Sequence, residues 1–270
     1  ISKCAPDSQR EIIERAIGTP DWKEALSFAS HLGLTSLILQ VWTELAERGD
    51  TKAGIRLDDA IELVVQAGVP LASDSLTSFA QCCWRAAENT SSRVRYAAGE
   101  ALCLMSQEHW SLIKEGVLSR LDSPDGWNRL VAWACLCVSS DQGPAISTLT
   151  EALPRLAGSR PTDSYLGGFS IRPTGNAVWQ HLVLGAARRI LVTPLDPEAL
   201  QVLDELVGDA KRLNLSTTNA LYMAFRQVGL ERNGLLDGTW LKNMARLKPD
   251  LKHLKNEAAY LLAIIEDPSV

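Results

Sequence analysis

The 270-residue chain lacks long apolar runs, and its longest one, residues 130–138, has only nine residues. A helix that crosses a bilayer needs about 20 apolar residues, so the sequence predicts no membrane-spanning segment. Strand patterns are also missing, because the short Thr- and Val-rich candidates follow a helical period rather than an alternating one. The absence of strands predicts an all-α protein.

The motifs of several enzyme classes are missing as well. The four histidines are scattered, at positions 31, 109, 181 and 253, and none forms a His-Glu-x-x-His zinc motif. The chain has no phosphate loop of the Gly-Lys-Ser/Thr type and no Gly-x-Ser-x-Gly nucleophile turn. The pair Gly167-Gly168 has no strand before it, as a dinucleotide site requires. We therefore predict no catalytic, cofactor-binding or metal-binding residues, and a chain that is not an enzyme by itself.

The six cysteines do not have the spacing of a small secreted disulfide framework. Free cysteine packs as a small hydrophobe, and five of the six lie in apolar helical patterns: Cys82, Cys83, Cys103, Cys135 and Cys137. Free thiols indicate a reducing compartment, cytoplasmic or otherwise intracellular. A Cys–His catalytic pair stays open as an alternative, since such partners need not be close in sequence.

An excess of basic residues is missing too, because the formal net charge is −5. Proteins that bind a nucleic-acid backbone usually carry a basic surface, so the composition disfavours nucleic acid as a partner. The chain starts without Met and without an apolar leader, from which we expect a segment of a larger protein. The expected partner is another protein or another domain of the parent chain.

Helical periodicity is what the sequence has in abundance. Residues Val94, Ala98, Leu102 and Met105 recur at the spacing that aligns side chains on one face of a helix. Short turns between such stripes predict antiparallel neighbours. The first helix is predicted to begin at a capping box, Ser8 to Glu11. The second is predicted to have Thr19 as its cap with Pro20 at the first helical position and to stop at Gly33, and the third is predicted to end at Gly49. About 13–14 helices are predicted, the first from residue 8 and the others near 20–32, 34–48, 57–67, 73–88, 91–105, 107–121, 127–138, 143–157, 176–192, 197–213, 216–228, 236–247 and 251–266.

One of these helices resembles a known repeat. The run Arg93-Val-Arg-Tyr-Ala-Ala-Gly-Glu-Ala-Leu102 is similar to the second helix of a HEAT repeat, and Arg95 and Arg129 lie 34 residues apart, each seven before a leucine. The resemblance covers residues 74–139. In that family an Asp six residues before the Arg often joins it in a ladder between repeats, and here those positions hold Asn89 and Ser123.

The resemblance implies an α-solenoid of antiparallel helix pairs, HEAT- or armadillo-like, that forms a single domain over residues 1–270 and is most regular at 73–157. It implies a protein–protein interaction module, a scaffold or sensor within a multidomain intracellular protein. Two alternatives remain open. Some similar solenoids bind DNA and excise alkylated bases, and others resemble bilin lyases, which attach a tetrapyrrole to a phycobiliprotein.

Candidate binding residues come from two places. Trp127 and Trp133 lie six residues apart on one helix, about two-thirds of a turn, so one of them is expected nearer the surface, where Trp127 beside Arg129 forms an anchor. The segment 158–175 is a long loop rich in Gly and Pro, a type that often binds partners. The predicted partner-binding residues are Trp127, Arg129, Arg160, Tyr165, Phe169 and Arg172.

Overall fold

A computed structural model describes residues 5–55, 73–88, 92–139, 146–157 and 175–192, together with Gln201, Asp204 and Ala259. Within these ranges all regular secondary structure is helical and no strand occurs, which confirms the all-α prediction for the described part of the chain. The helices are α1 (Pro6–Ile17), α2 (Trp22–His31), α3 (Thr35–Glu47), α4 (Thr51–Ile55), α5 (Ser73–Ala87), α6 (Ser92–Glu108), α7 (Trp110–Leu118), α8 (Gly126–Val138), α9 (Ile146–Ala157) and α10 (Gly175–Val192).

Several predicted elements lie outside the described residues. They are the helix at 57–67, the helices after 197 and the loop of 158–175, apart from Gly175, which is the first residue of α10. The predicted total of 13–14 helices therefore stays a prediction, and so does the single domain over residues 1–270.

Two helix starts differ from their predictions. Helix α1 begins at Pro6 after Ala5, with no side-chain cap, so the predicted capping box at Ser8 is wrong. Proline at the first helical position has its φ already set and needs no N–H partner there. Thr19 does not cap α2, because its hydroxyl donates to the Ala16 carbonyl at 2.8 Å and α2 begins only at Trp22.

Helix α4 is not predicted from the sequence, and it ends before the predicted helix at 57–67, which lies outside the described residues. The Asp50 carboxylate accepts hydrogen bonds from the backbone N–H groups of Lys52 at 2.8 Å and Ala53 at 3.2 Å. An aspartate at this position satisfies amides that have no partner within the first turn. Gly49, just before it, has φ of +78°, as does Gly33 after α2. Only glycine adopts this left-handed conformation without strain, which confirms the predicted stops.

The apolar stripe of α6 is buried as predicted. Val94 is 3% exposed, and Ala98, Ala101, Leu102 and Met105 are completely buried. Helix α6 packs against α5, α4 and α7, while α5 packs against α3 and α7. Helices α1, α2 and α3 contact one another, and α3 also contacts α4. Burial of these stripes is the main stabilising contribution, worth about 1.5–3 kcal/mol for each large side chain.

Helix α8 joins this packing through a glycine on α6. A Cβ atom added at Gly99 would lie 2.8 Å from the Trp127 ring and 2.9 Å from a methyl group of Val131. Real Cβ atoms do not approach side chains so closely, so the hydrogen of glycine is what allows the two helices to meet. The Tyr96 and Trp127 rings lie beside this contact, with centroids 5.0 Å apart.

The chain divides into two compact units. The first comprises Ile1–Cys135 and Leu166–Val178, and the second comprises Leu136–Tyr165 and Trp179–Val270. In the second unit α10 buries Trp179, Leu182, Val183, Ala186 and Ala187. Among the helices described in either unit, none combines the length and the apolar content needed to span a membrane.

Candidate functional site

A groove of about 500 Å³ lies between α3 and α5. Its lining includes three small or apolar side chains, Ala46, Cys82 and Ala86, and one ion pair, Glu47 with Arg85. The Glu47 and Arg85 side chains are 39% and 57% exposed, so both charges are accessible from solvent. Volumes of 300–1,000 Å³ are typical of ligand-binding clefts. The small side chains of the lining and the two opposite charges make this groove a candidate recognition site, which we call the α3–α5 groove.

The thiol in this groove is not a nucleophile. The Cys82 Sγ donates to the Thr43 carbonyl at 3.5 Å, and burial raises the pKa of this thiol to about 12. Burial also raises the pKa of the neighbouring Cys83 well above its ordinary value. Thiolate is the reactive form of cysteine, so both groups are protonated and inert at neutral pH. All five cysteines of the described residues are free and buried, as the sequence predicted.

A second ion pair links α3 to α1 in the same unit. The Arg10 guanidinium donates to the Glu44 carboxylate, and this hydrogen bond is the largest cause that lowers the pKa of Glu44. On α5, the Trp84 ring stacks with the Arg120 guanidinium, whose central carbon lies 4.6 Å from the ring centroid. Charged or cation–π contacts thus join α1 to α3, α3 to α5, and α5 to the residues that follow α7.

The two repeated arginines, Arg95 on α6 and Arg129 on α8, both contact the turn before α8, residues 119–125. The Arg95 Nε donates to the Ala87 carbonyl at 3.1 Å, and the Arg129 Nη1 donates to the Ser123 carbonyl at 2.7 Å. Each arginine thereby binds the end or the turn of the helix before its own. Arg95 also reaches Asp125, with 3.5 Å between Nη2 and Oδ1. Arg95 therefore has a charged contact with the segment that follows α7. The carboxylate comes from Asp125 and not from the position six residues before the arginine, where the family often has an Asp and this chain has Asn89.

Trp127 is buried rather than placed at the surface. It is 7% exposed, packs on Tyr96, and its indole N–H has no hydrogen-bond partner within the described residues. Trp133 is also 7% exposed, and its N–H donates to the Leu121 carbonyl at 3.1 Å. The expectation that one of the two lies nearer the surface is wrong. Residues 130–138 are buried all round α8, and a helix that is apolar on every face has no exposed side for either ring.

The other predicted site residues are only partly placed. Arg129 is half-buried at the N-terminal turn of α8, two residues after Trp127. Arg160, Tyr165, Phe169 and Arg172 lie outside the described residues. The structure thus brings together Trp127 and Arg129 alone, and their role in partner binding stays a prediction.

Sequence reasoning missed the α3–α5 groove. Its charged residues, Glu47 and Arg85, lie 38 positions apart on different helices, and each one alone is an ordinary polar residue at the end of a helix. The only local signal was a small residue beside each charge, Ala46 and Ala86. Small side chains allow a depression between two helices, but the pattern is too common to identify one.

Neither a metal site nor a comparison with known proteins indicates a function. Within the described ranges, no three His, Cys, Asp or Glu side chains cluster in a way that would hold a metal ion. No known protein family, no curated protein sequence and no solved structure matches the chain. Any functional assignment therefore depends on the residues of this chain.

One half-buried histidine predicts a pH dependence in the second unit. His181 on α10 is half-buried with Nδ1 enclosed and without a hydrogen bond among the described residues, and burial lowers its pKa to about 4. Above pH 6.5 the imidazole is neutral in the folded and the unfolded chain. Between pH 6.5 and 4 only the unfolded chain binds the proton, so stability falls as the pH falls.

We expect the free energy of unfolding to drop by about 2 kcal/mol over this range, since the exposed part of the ring reduces the full value of about 3. Urea unfolding at several pH values measures the slope. The variant His181→Gln should lose this slope, whereas His31→Gln, at an exposed position, should keep it. An unchanged slope in His181→Gln would show that other groups cause it.

Proposed function

We propose that the chain is a protein-recognition module of a larger intracellular protein, built as an α-solenoid of HEAT-like helix pairs. The order of helix contacts in the first unit supports this architecture. Helices α1, α3, α5 and α7 contact one another in sequence, α4 contacts α6, and α6 meets α8 at Gly99. This order of contacts is the one that stacked helix pairs would have. Stacked pairs form extended surfaces that suit macromolecular partners.

The two repeated arginines support the same proposal. Arg95 and Arg129 lie 34 residues apart, and each donates to a backbone carbonyl in the segment before its own helix, Ala87 and Ser123 respectively. Related contacts at a fixed spacing are typical of repeat proteins, in which each unit contacts its neighbours in a similar way. The free buried cysteines fit a reducing, intracellular compartment.

The proposed recognition site is the α3–α5 groove, and its geometry is the observation on which the proposal depends. The Glu47 carboxylate can accept hydrogen bonds and the Arg85 guanidinium can donate them. Both charged groups are accessible to solvent, and small side chains line the rest of the groove. We propose that the partner is a protein segment that carries a basic and an acidic side chain, which pair with Glu47 and Arg85. Charge-assisted hydrogen bonds of this type give register and specificity.

A charge exchange tests this site without removing the ion pair. The double variant Glu47→Arg with Arg85→Glu retains the intramolecular attraction but reverses the polarity of the groove. We expect its thermal midpoint to stay close to that of the parent, because exposed pairs contribute about 0–1 kcal/mol. Capture of a specific protein partner from lysate of the source cells should fall at least tenfold, since two attractive contacts become repulsive.

The matched control is the exchange Glu11→Arg with Arg15→Glu on α1, where the two exposed side chains form an ion pair of 2.6 Å. It should bind the partner as the parent does. A third variant, with residues 160–172 replaced by a Gly/Ser linker, tests the predicted loop separately. If capture is unaffected by the groove exchange, the groove is not the site, and if only nucleic acid is captured, the protein-recognition proposal is wrong.

A further inference from the structure

The turn between α7 and α8 contains a serine followed by proline, Ser123-Pro124, whose hydroxyl group is unused. The Ser123 amide donates to the Arg120 carbonyl at 3.1 Å, and the Ser123 carbonyl accepts from Arg129 at 2.7 Å. The Ser123 hydroxyl makes no hydrogen bond within the described part of the chain. Ser123 is half-buried and Pro124 is exposed. The backbone of the turn is thus held in place while the serine oxygen is left without a partner.

Two guanidinium groups lie at this turn. Arg129 already binds the carbonyl of Ser123. Arg95 reaches the turn through Asp125, but its 3.5 Å distance is longer than the roughly 2.7–2.9 Å of a strong charge-assisted bond. The Asp125 carboxylate is 46% exposed and has a second task, since it accepts the backbone N–H of Asn128 at 2.9 Å. Arg95 is therefore only weakly engaged by Asp125.

We propose that Ser123 is a phosphorylation site and that Arg129 and Arg95 bind the phosphate. The phosphate donor is ATP and the enzyme is a protein kinase that selects serine before proline. The Ser123 oxygen attacks the γ-phosphorus of ATP, a P–O bond forms, the bond from that phosphorus to the ADP oxygen breaks, and the hydroxyl proton passes to the base of the kinase. No other co-reactant is needed.

The chemistry of the turn fits a phosphate monoester. A phosphoserine carries about −1.5 to −2 charges at pH 7 and offers three strong acceptor oxygens, and guanidinium groups bind such oxygens in pairs. Asp122 and Asp125 are exposed near the turn and oppose the new charge. The phosphate carries more charge than Asp125 and takes Arg95 from it, while Asp125 keeps its contact with the start of α8.

The chain supplies a matched control with the same local sequence. Thr19-Pro20-Asp21 repeats the hydroxyl, proline and aspartate of Ser123-Pro124-Asp125, but the Thr19 hydroxyl already donates to the Ala16 carbonyl at 2.8 Å. The folded 270-residue chain, a Ser123→Ala variant and a Thr19→Val variant are incubated with a proline-directed kinase and ATP. Peptide mapping by mass spectrometry then assigns the modified residue.

We expect one phosphate at Ser123 in the parent and in Thr19→Val, and none at this position in Ser123→Ala. In phosphorus NMR, the second pKa of the bound phosphate should lie below the value of about 6 that the same phosphoserine shows when the chain is unfolded in urea. The variant Arg95→Gln should raise that pKa, and Arg95→Lys, which keeps the charge, should raise it less. Modification of Thr19 without Ser123, or equal phosphate pKa values in folded and unfolded chains, would overturn the proposal.

Discussion

Replacing Trp42 by alanine is expected to lower the free energy of unfolding by about 4 kcal/mol. Trp42 on α3 is completely buried. Its indole N–H donates to the Ala53 carbonyl at 2.8 Å, and its ring meets Trp22 edge to face with centroids 5.5 Å apart. The substitution removes a large apolar ring, leaves a cavity and deprives a carbonyl of its donor. Urea unfolding followed by far-ultraviolet circular dichroism measures the loss.

A second substitution separates packing from hydrogen bonding at this position. Trp42→Phe retains most of the apolar surface but leaves the Ala53 carbonyl without its donor, which should cost about 1–3 kcal/mol. The matched control is Phe28→Ala on α2, where the ring is 59% exposed and the expected change is within about 0.5 kcal/mol. A loss below 1 kcal/mol in Trp42→Ala would contradict the central position of this ring.

Replacing Gly185 by alanine is expected to destabilise the second unit by about 3 kcal/mol. A Cβ atom at this position on α10 would lie 2.6 Å from the backbone carbonyl carbon and oxygen of Cys137. Backbone atoms within packed helices cannot yield as the end of a flexible side chain can. The sign of the change in unfolding free energy is informative, because in a helix without such a contact a Gly→Ala substitution stabilises by about 1 kcal/mol.

Hydrogen exchange of the α10 amides and urea unfolding together measure this effect. We expect faster exchange throughout α10 in Gly185→Ala. Gly18→Ala is the control, because Gly18 has an ordinary φ of −78° and a Cβ there meets only the Arg15 carbonyl, at 3.3 Å. A neutral or stabilising result at position 185 would mean that α10 and the end of α8 are not in close contact.

The sequence could place Trp127 and Arg129 close together, because a Trp and an Arg two residues apart at a helix start form a local pattern. Their role in binding a partner stays a prediction. Whether Trp127 is accessible depends on Tyr96 and Gly99. These residues belong to another helix, and no sequence pattern indicates that they contact Trp127. The α3–α5 groove depends in the same way on two helices that are far apart along the chain.

The sequence by itself determined the local features of this protein. The all-helical class, the buried stripe of α6, the glycine stops at Gly33 and Gly49, and the free buried cysteines all follow from helical periodicity and the conformational preferences of single residues, which act within one or two turns. Only the tertiary structure decided the burial of both Trp127 and Trp133, the pairing of Glu47 with Arg85 and the close approach at Gly185. These features join residues that are distant in sequence, and they depend on which helix faces become neighbours after packing.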